Sequence, residues 1–151
     1  MTGNAPVAEF GALLVGVNRL VRRALWRGLT GPRLRGAQVE LLRLVRGAPG
    51  LRVSAAARQL GLAGNSVSTL VRQLVALGLL ERSPDPRDGR AALLTLTPEA
   101  EDRLRAWEDR RTALLAARFA ALAPAEREAL VAALPALRAL AKGLHEEVTE
   151  P

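Results

Sequence analysis

Two short apolar-periodic runs, each closed by a glycine, lead directly into two β-capable runs joined by a turn. This feature constrains the chain more than any other. Ser54 is a good N-cap for a helix ending at Leu60, and Gly61 stands where a helix C-terminus favours a residue without a Cβ. A second helix starts near Gly64-Asn65 and ends at Leu77, with Gly78 in the same position behind it. Leu79–Ser83 and Ala91–Thr97 follow as strands. The stretch Pro84-Asp85-Pro86-Arg87-Asp88-Gly89-Arg90 between them is rich in turn formers, the Asp-Gly pair and two prolines above all. Short helices around a glycine-punctuated turn, followed by a hairpin, spell a winged helix-turn-helix.

The flanks are helical. Before this core, Val7, Phe10, Leu14, Val17, Val21 and Leu25 recur at spacings of three or four, which predicts a helix over about Val7–Leu29 with one apolar stripe. Thr30-Gly31-Pro32 breaks it. Gly36–Arg46 is a further helix, closed by Gly47-Ala48-Pro49-Gly50, and Leu51-Arg52-Val53 is long enough for one minimal strand. After the hairpin, Thr97-Pro98 pairs an N-cap with a proline at the first helical position. A long helix runs from there to about Ala121. A last one runs from Pro124 toward Glu147, with Pro135 expected to kink it.

The expected fold is therefore mostly α, with a small β-hairpin wing. It reads as a single domain over 1–151, with the winged helix-turn-helix at 34–97. The helices at 7–29 and 98–147 bear apolar stripes that the core does not use, and they make sense as dimerisation helices in a homodimer. Trp26, Trp107, Phe10 and Phe119 fall on these outer helices, where they serve core or interface packing or line a pocket for an aromatic molecule.

Charge points to the partner. The formal net charge is +7, yet residues 1–80 hold eleven arginines against two acids, Glu9 and Glu40. Residues 98–151 hold eight basic residues against ten acids, so the whole excess lies in the first half. A one-sided cationic surface on a folded chain suits a polyanion, double-stranded DNA first among them. Cysteine is absent, which excludes disulfides and thiol chemistry, and a single histidine makes a structural zinc site improbable. No metal and no cofactor are expected. No phosphate-cradling glycine loop, nucleophile elbow or paired-histidine metal motif is present, so an enzyme is not expected. Charges interrupt every apolar stretch before about 18–20 residues, too short to span a bilayer. Nor does a basic run precede Phe10–Val17 as in a secretory signal, so the expected location is the cytoplasm.

The run from Gly64 to Leu77 is the natural reading head. Val67, Leu70, Val71, Leu74 and Val75 fall on one side of a helical wheel and dock it on the core. The other side presents Asn65, Ser66, Ser68, Thr69 and Arg72, with no acid among them. An outer face this narrow and this free of negative charge suits a major groove, where Arg72 has the geometry for a guanine. Gln38, Ser54 and Arg58 are candidate contacts to the DNA backbone. In the hairpin, Arg87 and Arg90 are cations for the minor groove, and Asp88, two residues before Arg90, is placed to orient its guanidinium.

These same residues resemble the MarR family of regulators. The likeness is carried by Val53–Gly61, Asn65–Leu74, Leu77–Arg82, the wing-like Asp85–Ala91, and Leu94–Pro98, and it spans roughly Leu34 to Leu104. It implies a homodimer that sets two recognition helices in successive major grooves of a pseudo-palindrome. The family's wing arginine and its bracing aspartate map onto Arg90 and Asp88. Gly89 stands where the family commonly has arginine, so the wing has one cation fewer. Ala100 replaces a frequent glycine. Some members of the family lose DNA affinity when a small aromatic effector binds between dimerisation helices and winged domain, but no residue marks such a ligand site here. Two other readings remain open on the residues alone: a winged-helix module that binds an acidic protein, and a ligand-binding dimer without a specific operator.

Overall fold

The computed structural model describes residues 4–27 and 32–149, with the side chains of Trp26, Val148 and Thr149 left aside. The order is α1 (Ala5–Trp26), α2 (Gly36–Gly47), β1 (Leu51–Arg52), α3 (Val53–Leu60), α4 (Gly64–Ala76), β2 (Leu80–Asp85), β3 (Asp88–Leu96), α5 (Pro98–Ala120) and α6 (Pro124–Thr149). This is a mostly α winged helix-turn-helix with long terminal helices, as the sequence predicts. Leu29, Thr30 and Gly31, to which the end of the first helix and its break were assigned, lie outside the described residues.

The chain divides into two compact units, one of 1–33 with 107–122 and one of 34–106 with 123–151. The second holds the winged helix and its core. Leu41, Leu42 and Val45 of α2, Val67, Val71 and Leu74 of α4, Leu79, Leu80 of β2 and Leu94 of β3 are sealed from solvent. Ala56 of α3, with Ala100 and Leu104 of α5, completes the cluster. The sheet has the order β1-β3-β2, all antiparallel, with Leu51 opposite Leu94 and Leu80 opposite Leu96. The minimal strand before the third helix thus exists, as the edge strand beside β3.

Both helix ends predicted from glycines close in one way. Gly61 has φ +62°, and its N–H donates to the Arg58 carbonyl while Leu62 N–H donates to the Ala57 carbonyl. Gly78 has φ +70°, with Gly78 N–H on Val75 and Leu79 N–H on Leu74. These are paired Schellman closures, which need a left-handed residue at the point where each glycine sits. The second aims Leu79 into the core and so fixes where the hairpin begins.

Thr97 then joins the hairpin to α5. Its hydroxyl accepts the Ala100 N–H at 3.2 Å, as an N-cap should, and donates to the Gly78 carbonyl at 2.7 Å. One side chain so secures the start of α5 and the end of α4 together. Ser54 does not cap α3 as expected. The helix begins at Val53, with Arg52 in extended backbone before it, because the preceding strand pairing on β3 carries the chain directly into the first turn.

In the wing, the turn is tighter than the composition suggests. β2 continues through Pro84 to Asp85 and β3 starts at Asp88, so only Pro86 and Arg87 form the loop. Pro84 is tolerated because β2 is an edge strand and a register shift falls beside it. Asp88-Gly89, expected as the turn, lies in the strand instead. In α6, Pro135 sits inside the helix, which runs on through it. No helix of the described residues is long and apolar enough to cross a membrane.

Candidate nucleic-acid interface

The fourth helix presents what its sequence promises. Val67, Val71 and Leu74 are 0–1% exposed, while Asn65, Ser66, Ser68, Thr69 and Arg72 all face solvent. Leu70 is half-buried. Val75, expected on the docked side, is 40% exposed. It sits about 80° around the wheel from Val67, at the margin of the apolar stripe.

The outer face is internally ordered. Thr69 Oγ1 donates to the Asn65 carbonyl at 3.0 Å and accepts from Arg72 Nη2 at 3.2 Å. The guanidinium is therefore held along the helix axis by a hydroxyl one turn earlier, with further N–H groups left to point outward. Asn65 Oδ1 accepts the Ser66 N–H at 2.8 Å, which steadies the first turn of the helix. The helix N-terminus lacks a side-chain cap and an acid, so its free N–H groups and positive dipole end favour a phosphate.

Gln38 departs from its expected role. It is only 6% exposed, and both ends of its amide are engaged: Oε1 accepts the Arg35 N–H at 2.8 Å and Nε2 donates to Gln73 Oε1 at 3.0 Å. It is a strut between α2 and α4, not a surface for phosphate. Ser54 and Arg58, the other two expected backbone contacts, are exposed on α3.

The wing also differs in its bracing. Arg87 is at the tip of the loop and Arg90 in β3, both exposed. Asp88 Oδ1 accepts the Arg90 backbone N–H at 3.1 Å, so the carboxylate folds onto the main chain at the strand start and does not grip the guanidinium. The ion pair that does form joins Arg52, at the end of β1, to Asp85, at the end of β2. Asp85 is 6% exposed and its Oδ1 also accepts the Arg87 N–H at 2.9 Å. That N–H and the Arg52 guanidinium hold the carboxyl below its ordinary range, against the burial that would raise it. Asp85 thus shapes the turn that carries Arg87 and ties the wing to β1. The sequence reading missed Arg52 and Asp85. No local signal was available, because the turn-rich composition of Pro84–Arg90 hid that β2 runs on to Asp85.

A helix-turn-helix with an acid-free outer face, followed by a two-strand ribbon that exposes Arg87 and Arg90, is the architecture of a DNA-binding module. Residues 27–91 match the sequence profile of the MarR family. That segment resembles the MarR family, and the chain has the fold of that family's DNA-binding regulators. Among solved structures, the chain resembles Streptococcus pneumoniae FabT in complex with DNA at 17% identity, with a TM-score of 0.72 over 92% of this chain and 97% of that one. It resembles the PcaV transcriptional regulator of Streptomyces coelicolor, bound to its natural ligand, at 26% identity, with a TM-score of 0.57 over 85% and 89%. Bordetella bronchiseptica BpsR, whose DNA binding is regulated by 6-hydroxynicotinic acid, is similar at 25% identity, with a TM-score of 0.59 over 85% and 91%. None of the curated protein sequences matches the chain.

Proposed function

We propose that this chain is a homodimeric transcriptional repressor that binds a pseudo-palindromic operator in the cytoplasm and is released by a small-molecule effector. The observation that carries the reading is the outer face of α4. Five exposed hydrogen-bonding side chains without an acid stand directly above three sealed apolar ones. Asn65, Ser66, Ser68, Thr69 and Arg72 enter the major groove, and Arg87 and Arg90 follow the minor groove with Asp88 ordering the strand behind them. Ser54 and Arg58 bind the backbone.

Residues 34–97 form the DNA-binding part, and the helices outside it hold the dimer together. Support for the second half is the apolar surface left open on them. Val7, Leu13, Leu14, Val17 and Leu20 of α1 are 46–62% exposed, and Leu130, Val131, Leu134, Leu140 and Leu144 of α6 are 42–54% exposed. Stripes of this length need a cover, and a second copy supplies one of the same chemistry. The effector reading draws on PcaV and BpsR, which respond to or bind small molecules.

The test is selection of duplexes from a random pool, followed by affinity against salt on the winner. A palindrome with half-sites about one helical turn apart and a steep salt slope is expected. No enrichment over random duplex refutes the operator and leaves the basic face to an acidic protein partner.

A further inference from the structure

The first half of the chain carries cations that the DNA-reading surface does not account for. Arg19, Arg22 and Arg23 on α1 and Arg27 at its C-cap include pairs three and four residues apart (19/22, 19/23, 23/27), and the helix holds a single acid, Glu9, more than two turns away. All four are exposed. Among the described residues none of them enters an ion pair with an acid. Like charges at these spacings repel one another and weaken a helix.

They do not simply radiate into water. A recess of about 660 Å³ is lined by Val15 and Asn18 together with Arg19, Arg22, Arg23, Arg27 and Arg33, all within one compact unit. Its size falls within the roughly 300–1,000 Å³ of small-molecule sites. Its walls are unlike an ordinary ligand pocket, with five guanidiniums, one amide and no acid. Guanidinium presents paired N–H donors that match a carboxylate or phosphate face to face. Arg19, Arg23 and Arg27 each climb about 6 Å along the helix, so one anionic group satisfies at most two of them and a second group is needed for the rest.

We propose that this recess binds a small molecule carrying at least two carboxylate or phosphate groups. The site uses none of the residues assigned to DNA reading, so it holds whether or not an operator exists. The ligand is hydrophilic and compact, chosen by charge count and spacing more than by shape. Occupancy relieves the repulsion along α1 and so raises the stability of that helix.

The experiment is calorimetric titration of the full chain at constant ionic strength, with pyrophosphate and citrate as probes and acetate and chloride as controls. Saturable binding of either probe, near one per chain and at least tenfold tighter than acetate, is expected. Arg19→Gln with Arg23→Gln is expected to weaken it at least tenfold while helix content by circular dichroism is unchanged. Arg22→Gln with Arg27→Gln is an independent second pair, should the first disturb folding. Absence of saturable binding, or binding undiminished in both paired variants, overturns the site. A third result also overturns it: no probe binding, together with a duplex salt slope reduced by about two units in the paired variants, assigns these arginines to the DNA backbone. Operator binding by the unmodified chain is read in parallel, so failure of the anion site leaves the DNA reading intact.

Discussion

Gln38 on α2 and Gln73 on α4, thirty-five residues apart, meet through a 3.0 Å bond from Nε2 to Oε1. Gln38 is at the same time the residue that accepts the Arg35 N–H at the start of α2. The orientation of the reading helix and the first turn of α2 therefore depend on one amide. Truncating Gln73 to alanine leaves the Gln38 donor without its partner. Gln73→Ala is expected to cost about 1 kcal/mol, the ordinary net worth of such a bond. A double-mutant cycle with Gln38→Ala in denaturant unfolding checks it, and a coupling energy indistinguishable from zero removes the strut.

Thr69 is ordered differently from a free base-reading hydroxyl. It spends its proton on the Asn65 carbonyl and its lone pair on Arg72, so under the proposed DNA reading its effect is expected to pass through the guanidinium it holds. Arg72→Ala is expected to cost about 1–3 kcal/mol on the preferred operator and much less on random duplex. Thr69→Val keeps the shape but drops the acceptor, and is expected to lose part of the same discrimination; Thr69→Ser keeps it. Competition binding with matched and single-base-changed duplexes measures both. Equal losses on all duplexes for Arg72→Ala would place that side chain on phosphate.

Neither of these two contacts is legible in the sequence, whereas several local features are. Gly61 and Gly78 could be read because a left-handed residue closing a helix is nearly always glycine, and both φ values are positive as required. Thr97-Pro98 could be read for a similar local reason. The apolar stripe of α4 was read almost whole, missing only Val75 at its margin. Where contacts depend on tertiary approach, local pattern fails. Nothing near Gln38 in sequence announces Gln73, so an exposed role was the natural expectation. In the wing, three turn-forming pairs compete within seven residues. The pairing of Asp85 with Asp88 across the ladder, rather than the intrinsic taste of Asp88-Gly89 for turns, decides the loop.

Asp85 makes the wing sensitive to acid. Its carboxyl titrates below the ordinary value, because the Arg87 N–H and the Arg52 guanidinium favour the charged form in the folded chain. A group whose folded pKa is lowered takes up its proton more readily when unfolded. Its contribution is therefore complete above the ordinary aspartate value of about 3.9 and fades as pH falls through the lower folded value. Thermal unfolding between pH 6 and pH 3 is expected to show a decline that Asp85→Asn partly removes. At neutral pH the same variant is expected to be less stable than the parent, and to bind DNA several-fold more weakly as Arg87 loses its fixed turn. Identical pH profiles for the two proteins would remove Asp85 from this role.

The exposed stripes of the terminal helices yield the last prediction. Leu134 is 43% exposed and Leu130 48% exposed, four residues apart on α6, and Leu14 of α1 is 46% exposed. A solvated helix face does not need large apolar side chains at successive turns, whereas a helix that meets a second copy does. Replacing Leu134 by glutamate puts a charge into any such contact without touching the sealed core, since neither Leu134 nor its neighbours belong to the buried cluster. The expected result is a shift from dimer to monomer mass in sedimentation equilibrium at micromolar concentration, with helix content unchanged. Palindrome affinity then falls by orders of magnitude while half-site binding survives, because joining two reading heads raises affinity by roughly 10²–10⁴ over either alone. A parent chain that is already monomeric at that concentration, or a variant that stays dimeric, would mean that these stripes serve something other than self-association.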